Sequence, residues 1–161
     1  MMYLIKLVIL LIVFEVTMIE MAPTTGRDYL APYLNKKYKL ATSDDKFEDV
    51  MKALGVGFLK RRLAHLARPV IELTEHDGLY TLSSESMFKN TYTTFRMGKL
   101  FEEETPDDRV VMSTITQDKN KLIHIQRGDK VTTVIREFTA DMVRVTVEVD
   151  GIVSVRTYTP L

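Results

Sequence analysis

The chain has no cysteine and no tryptophan, few glycines (7) and prolines (5) for its 161 residues, and no excess of either charge. Without cysteine there is no disulfide framework, no thiolate nucleophile and no thiolate metal site, and redox usage says nothing about compartment. The balance of 22 basic against 22 acidic residues lacks the electrostatic footprint of a nucleic-acid binder. The three histidines, His65, His76 and His124, are scattered without metal-ligand spacing; they read as surface or rim residues, and no metal or cofactor is implied. Ser83, Ser84 and Ser86 form no triad-like or nucleophile-elbow pattern with them, so nothing points to catalysis. No apolar run reaches the about 20 residues of a membrane-spanning helix.

What is present suffices for a packed core, since 45% of the residues are hydrophobic. The longest apolar run, Leu4–Phe14, is broken only by Lys6 and has the length of a signal-peptide core. The chain from Val16 to Met21 lacks an Ala-x-Ala cleavage pattern, and an uncleaved extension is the alternative. Residues 1–26 are therefore expected to be a signal peptide or N-terminal extension, with secretion in the first case and a cytoplasmic location in the second. Residues 27–35 read as a linker or loose arm around Pro32, and residues 36–161 as one folded domain.

Inside that domain Tyr38-Lys39-Leu40 starts a strand, and Ser43-Asp44-Asp45 offers helix caps with Glu48 three residues past Asp45. Phe47, Val50, Met51 and Leu54 then form one apolar helix face. Gly55-Val56-Gly57 separates it from a second short helix that carries Lys60, Arg61, Arg62, His65 and Arg68 and ends at Pro69. Such a basic stripe is either a solvated face or a positive collar that touches anionic membrane.

From Val70 onward strand-like runs recur with turn chemistry between them: Val70–Glu75, Leu79–Ser84, Thr91–Met97, Leu100–Glu104, Val110–Thr116, Leu122–Gln126, Val131–Phe138, Met142–Val149 and Ile152–Tyr158. With the run at Tyr38 this predicts an antiparallel all-β barrel or sandwich of ten strands, in which closure removes sheet edges. A barrel of more than eight strands leaves a cavity, and the two helices would cap it. Met51, Met87, Met97 and Met112 are expected in its wall or core.

The last run holds the clearest chemical signal. Arg156 and Tyr158 alternate with Val153, Val155 and Thr157 and so share a face, and Arg136 lies in another strand-like run. If these side chains turn inward, two guanidinium groups and a phenol converge where a buried cation needs a partner, and a carboxylate fits the planar fork. Spacing alone leaves open that all three are exposed strand residues.

The segments Met51-Lys52-Ala53-Leu54-Gly55-Val56-Gly57, Glu85-Ser86-Met87-Phe88-Lys89-Asn90-Thr91, Phe101-Glu102-Glu103, Asp107-Asp108-Arg109 and Val155-Arg156-Thr157-Tyr158 together resemble the intracellular lipid-binding family, the fatty-acid-binding proteins and their retinoid-binding relatives. The resemblance covers about residues 36–159. It implies a ten-stranded up-and-down β-barrel of the lipocalin-like, calycin type with a helix-turn-helix lid, carrying a long-chain fatty acid without covalent chemistry or cofactor. The family's carboxylate clamp corresponds here to Arg136, Arg156 and Tyr158; its portal and cavity wall to Met51, Phe88, Asp107, Val145 and Val147. Expected partners are the lipid, in a monomeric carrier, and transient anionic membrane at Lys60, Arg61 and Arg62. A retinoid or other hydrophobic anion is an alternative cargo, and a secreted interaction module using the Arg127-Gly128-Asp129 turn is an alternative of another class. The chain departs from the family pattern at Tyr38, where many members have tryptophan, by one extra residue before Phe47, in a short turn at Arg127–Lys130, and over the first 35 residues.

Overall fold

A computed structural model describes residues 28–161; the Leu4–Phe14 run lies outside them. Ten strands form one antiparallel sheet: β1 (Lys37–Ser43), β2 (Val70–His76), β3 (Leu79–Glu85), β4 (Asn90–Phe95), β5 (Leu100–Glu104), β6 (Val110–Asp118), β7 (Lys121–Arg127), β8 (Val131–Phe138), β9 (Val143–Val149) and β10 (Ile152–Pro160). Neighbours in sequence pair except β4 and β5, and β1 closes onto β10, which makes the order β4-β3-β2-β1-β10-β9-β8-β7-β6-β5. Turn chemistry fixes the register: Asp77-Gly78 and Asp150-Gly151 both take positive φ at each residue (51° and 72°, 51° and 75°), the two-residue turn whose twist matches the strands.

Closure is incomplete, contrary to the expected closed sheet, because β4 and β5 do not pair. Inward aromatic side chains cross the opening instead. Tyr80 stacks on Phe95 (5.7 Å between centroids), Phe95 on Phe101 (6.1 Å) and Phe101 on the His124 ring (6.4 Å), so packing joins edges that hydrogen bonds leave apart.

The expected linker is also a packed element. Asp28 Oδ1 accepts the backbone N–H groups of Leu30 and Ala31 (3.0 and 3.3 Å), and Pro32 sits in a 3-10 turn over Ala31–Tyr33. Leu30 is fully buried in the core, and Tyr33 stacks on Phe138 at 5.8 Å. This turn closes the end of the barrel where β1 begins. The arm reads as loose in sequence because one leucine and one tyrosine decide its placement, too few to form a period.

The other end carries α1 (Lys46–Ala53) and α2 (Phe58–Leu66). Asp45 is the N-cap of α1 but makes no side-chain cap bond, and Asp44 supplies that bond instead. Its Oδ1 accepts Phe47 N–H (3.2 Å) and the Ser154 hydroxyl (2.7 Å), and its Oδ2 accepts Val155 N–H (2.7 Å), which ties α1 to β10. Glu48 does not fold back as a capping-box residue. It accepts Arg61 Nε (2.8 Å) and contacts His65 Nε2 (2.9 Å), joining the two helices.

Candidate functional site

Strand alternation turns Thr132, Val134 and Arg136 of β8, Val145 and Val147 of β9, and Arg156 and Tyr158 of β10 into one cavity of about 410 Å³. Register places the key groups in a row: Arg136 pairs with Val145, and Val145 pairs with Arg156. The two arginines thus flank one short side chain, about 10 Å apart at Cα on strands spaced about 4.8 Å. Tyr158, two residues on, is almost fully buried.

The arginines are held differently. Arg136 extends Nη1 to His124 Nδ1 (3.4 Å), and its remaining accessible surface faces the cavity. Burial presses its pKa below the ordinary arginine value, against the charges of Glu103 and Tyr158, yet a guanidinium stays protonated. Arg156 meets no acid among the described residues. Its guanidinium lies over the Phe47 ring of α1 at 4.1 Å, and its Nε is buried without a hydrogen-bond partner. A cation with an aromatic face behind it and an unused N–H is ready for a planar anion.

A second polar group lies alongside, and sequence reasoning missed it. Glu103 of β5 is buried, and its Oε2 accepts Ser113 Oγ (2.5 Å), His124 Nε2 (2.8 Å) and Gln126 Nε2 (3.1 Å). Gln126 Oε1 accepts Arg109 Nη2 (3.3 Å), and Arg109 Nε donates to Asp107 Oδ2 (2.6 Å). Side chains therefore connect the rim at Asp107 with Arg136. His124 is 1% exposed, not the rim residue its type led one to expect; parity with Leu122, also buried on β7, was the available signal. Since Arg136 donates toward Nδ1, His124 carries its proton on Nε2, facing Glu103. Burial lowers the His124 pKa foremost, and the Arg136 charge adds to that, outweighing the Glu103 hydrogen bond. For Glu103, burial pushes upward, but the bonds from His124 and Ser113 and the Arg136 charge win and hold it below the ordinary carboxylate value.

The expected portal residues reach the same cavity. Met51 is buried, Phe88 is 43% exposed, and Asp107 is half-buried through its ion pair with Arg109. Of the other methionines, Met97 packs against the core, whereas Met87 and Met112 are exposed because they fall on a turn and on the outward parity of β6.

The basic collar is largely engaged. Lys60 of α2 and Lys89 after β3 both bind Asp108 after β5, and Arg61 binds Glu48 and the Val56 carbonyl. Arg62 lies over the exposed Phe58 ring at 5.4 Å. At the Arg127-Gly128-Asp129 turn the glycine has a packing cause: a Cβ there would meet Val111 Cγ1 at 2.8 Å.

Known proteins share this arrangement of fold and sequence. The model described as the lipocalin / cytosolic fatty-acid binding protein family matches residues 36–159. The muscle fatty acid-binding protein of Schistocerca gregaria is 47% identical over 124 residues, 76% of this chain and 92% of that protein. The brain fatty acid-binding protein of Drosophila melanogaster, solved without citrate inside, is 42% identical with a TM-score of 0.76, over 79% of this chain and 98% of that one. A Schistosoma mansoni fatty acid-binding protein in complex with arachidonic acid is 32% identical with a TM-score of 0.79, over 83% and 98% of the two chains.

Proposed function

The chain belongs to the lipocalin / cytosolic fatty-acid binding protein family, and from that premise we propose that it binds and carries long-chain fatty acids inside the barrel, with the carboxylate at Arg136, Arg156 and Tyr158. The observation that carries this reading is the row Arg136–Val145–Arg156 facing the cavity, with Arg156 lacking an acidic partner among the described residues. The relatives' names and the arachidonic acid complex support the same cargo class. The mechanism is binding without bond-making, and no catalytic role is assigned to any residue.

Hydrocarbon burial supplies most of the affinity. Roughly 15 methylenes at about 0.8 kcal/mol each contribute near 12 kcal/mol, and ordering the ligand takes back several kcal/mol. The balance corresponds to dissociation constants from about micromolar to tens of nanomolar. Titration with a fluorescent fatty acid tests this: saturable uptake by a monomer at one per chain, with the ligand recovered unchanged, is expected. No uptake would favour the interaction-module reading, and preference for retinoids would change the cargo.

The family description names cytosolic proteins, which favours the cytoplasmic location over secretion. Expression in eukaryotic cells separates the two: retention with Met1 intact fits the former, and trimmed protein in the medium the latter. A transient contact with anionic membrane is favoured by the exposed Phe58, Leu59 and Leu66 beside Lys60, Arg61 and Arg62. Because Lys60 and Arg61 are engaged, Arg62 would carry the charge of that contact. Arg62→Glu should then weaken binding to phosphatidylserine vesicles in low salt; unchanged binding argues against it.

A further inference from the structure

We propose that the cavity is suited to long-chain acids bearing a hydroxyl along the chain, read by Thr132, Gln126 and Glu103 on the β5–β8 wall. This rests on the carrier reading and narrows its substrate class. The cavity is two-sided in chemistry. Met51, Ile71, Leu82 and Val147 present hydrocarbon, whereas Glu103, Arg109, Gln126 and Thr132 present polar groups. A saturated chain laid along the second side would cover those groups without giving them a partner, which is costly.

Two of these groups have unused capacity. Thr132 is 1% exposed, and its hydroxyl has no hydrogen-bond partner among the described residues. Buried polar atoms are nearly always paired, so this one points to a partner that the described residues do not supply. Glu103 concentrates all three of its hydrogen bonds on Oε2, leaving Oε1 free among the described residues. Gln126 links the two: it pairs with Thr132 across β7 and β8, and its amide donates to Glu103. A ligand hydroxyl both donates and accepts. It can give its proton to the free Glu103 oxygen and accept from Thr132, whereas a ketone or ether only accepts. Thr132 precedes Arg136 by four residues on the same strand, about 13 Å at strand spacing. The hydroxyl therefore belongs at mid-chain, remote from the carboxylate.

The test is calorimetry with stearate and a positional series of mid-chain monohydroxystearates. Wild-type protein should bind the best-placed isomer at least fivefold tighter than stearate. Thr132→Val should weaken that isomer about tenfold relative to stearate and so reverse the preference, and Thr132→Ser should restore it. Stearate tighter than every hydroxy isomer, or a ratio unchanged in Thr132→Val, would overturn the proposal while leaving the carrier reading intact. Failure of all the acids to bind would sink the carrier reading itself.

Discussion

Arg156 has a ring behind it and, among the described residues, no acid in front, so its charge should be felt mainly by a charged ligand. A hydrogen bond to a charged group contributes about 1.5–3 kcal/mol. Arg156→Leu should therefore weaken fatty-acid binding at least tenfold, about 1.4 kcal/mol, and leave the matching fatty alcohol nearly unaffected. Calorimetry on both ligands checks this, and equal losses would assign the arginine to barrel stability. The Glu103–His124 pair makes a different prediction, about pH. His124 has a folded pKa below its ordinary 6.5, so as pH falls below that value the unfolded chain takes up a proton first and stability drops. Glu103, also lowered, contributes stability that is complete above the ordinary carboxylate value and lost as pH falls through its folded value. Thermal melts should show two successive losses on acidification, and His124→Gln should abolish the earlier one. Parity put Arg156 and Tyr158 on one face, but it was the family resemblance, not spacing, that turned this face and Arg136 inward. Glu103 and His124 were not read as a pair, because they sit on strands separated by β6 and meet only through closure of the wall.

At the level of elements, the lid is attached unequally. Asp44 ties α1 to β10 through buried and backbone groups, while α2 is held to the strand turns by Asp108 with Lys60 and Lys89. Hydrogen bonds from Lys60 and Lys89, with both positive charges, hold the exposed Asp108 carboxyl at a pKa of about 2. The contact is thus fully ionised across the neutral range, and salt should weaken it more than pH does. Asp108→Asn should speed ligand exchange with little change in affinity, and stopped-flow rates of the wild type should rise with salt toward the variant's. Phe88→Ala, at the same rim, should likewise raise exchange rates more than it weakens binding; rates equal to wild type would count against a portal role. Strand boundaries were readable because Asp-Gly turns and alternation act locally. The start of α1 was readable from Ser43-Asp44-Asp45, but not which of the three bonds the helix, because all have capping side chains and β10, far along the chain, selects Asp44.

At the largest scale, the described residues form a barrel sealed at one end by a turn, covered at the other by helices and left open along one seam. Ten strands were countable from the sequence, but the seam was not, since β4 and β5 alternate as paired strands do and only tertiary pairing separates them. Removing the seal should cost stability rather than affinity. Leu30→Ala leaves a cavity in the fully buried end and should lower unfolding free energy by about 2–5 kcal/mol, measurable in denaturant. The unequal attachment of the lid has a consequence for ligand length. The lid is a door hinged at Asp44 and latched at Asp108, and the proposed carboxylate site at Arg156 lies beside Phe47, near the hinge. A bound acid is therefore a ruler fixed at one end, with its methyl end toward the latch. Added methylenes extend toward solvent instead of meeting a wall once the cavity of about 410 Å³ is filled. Across a series of saturated acids, affinity should climb and then level off; a sharp fall beyond an optimal length would mean that both ends are shut.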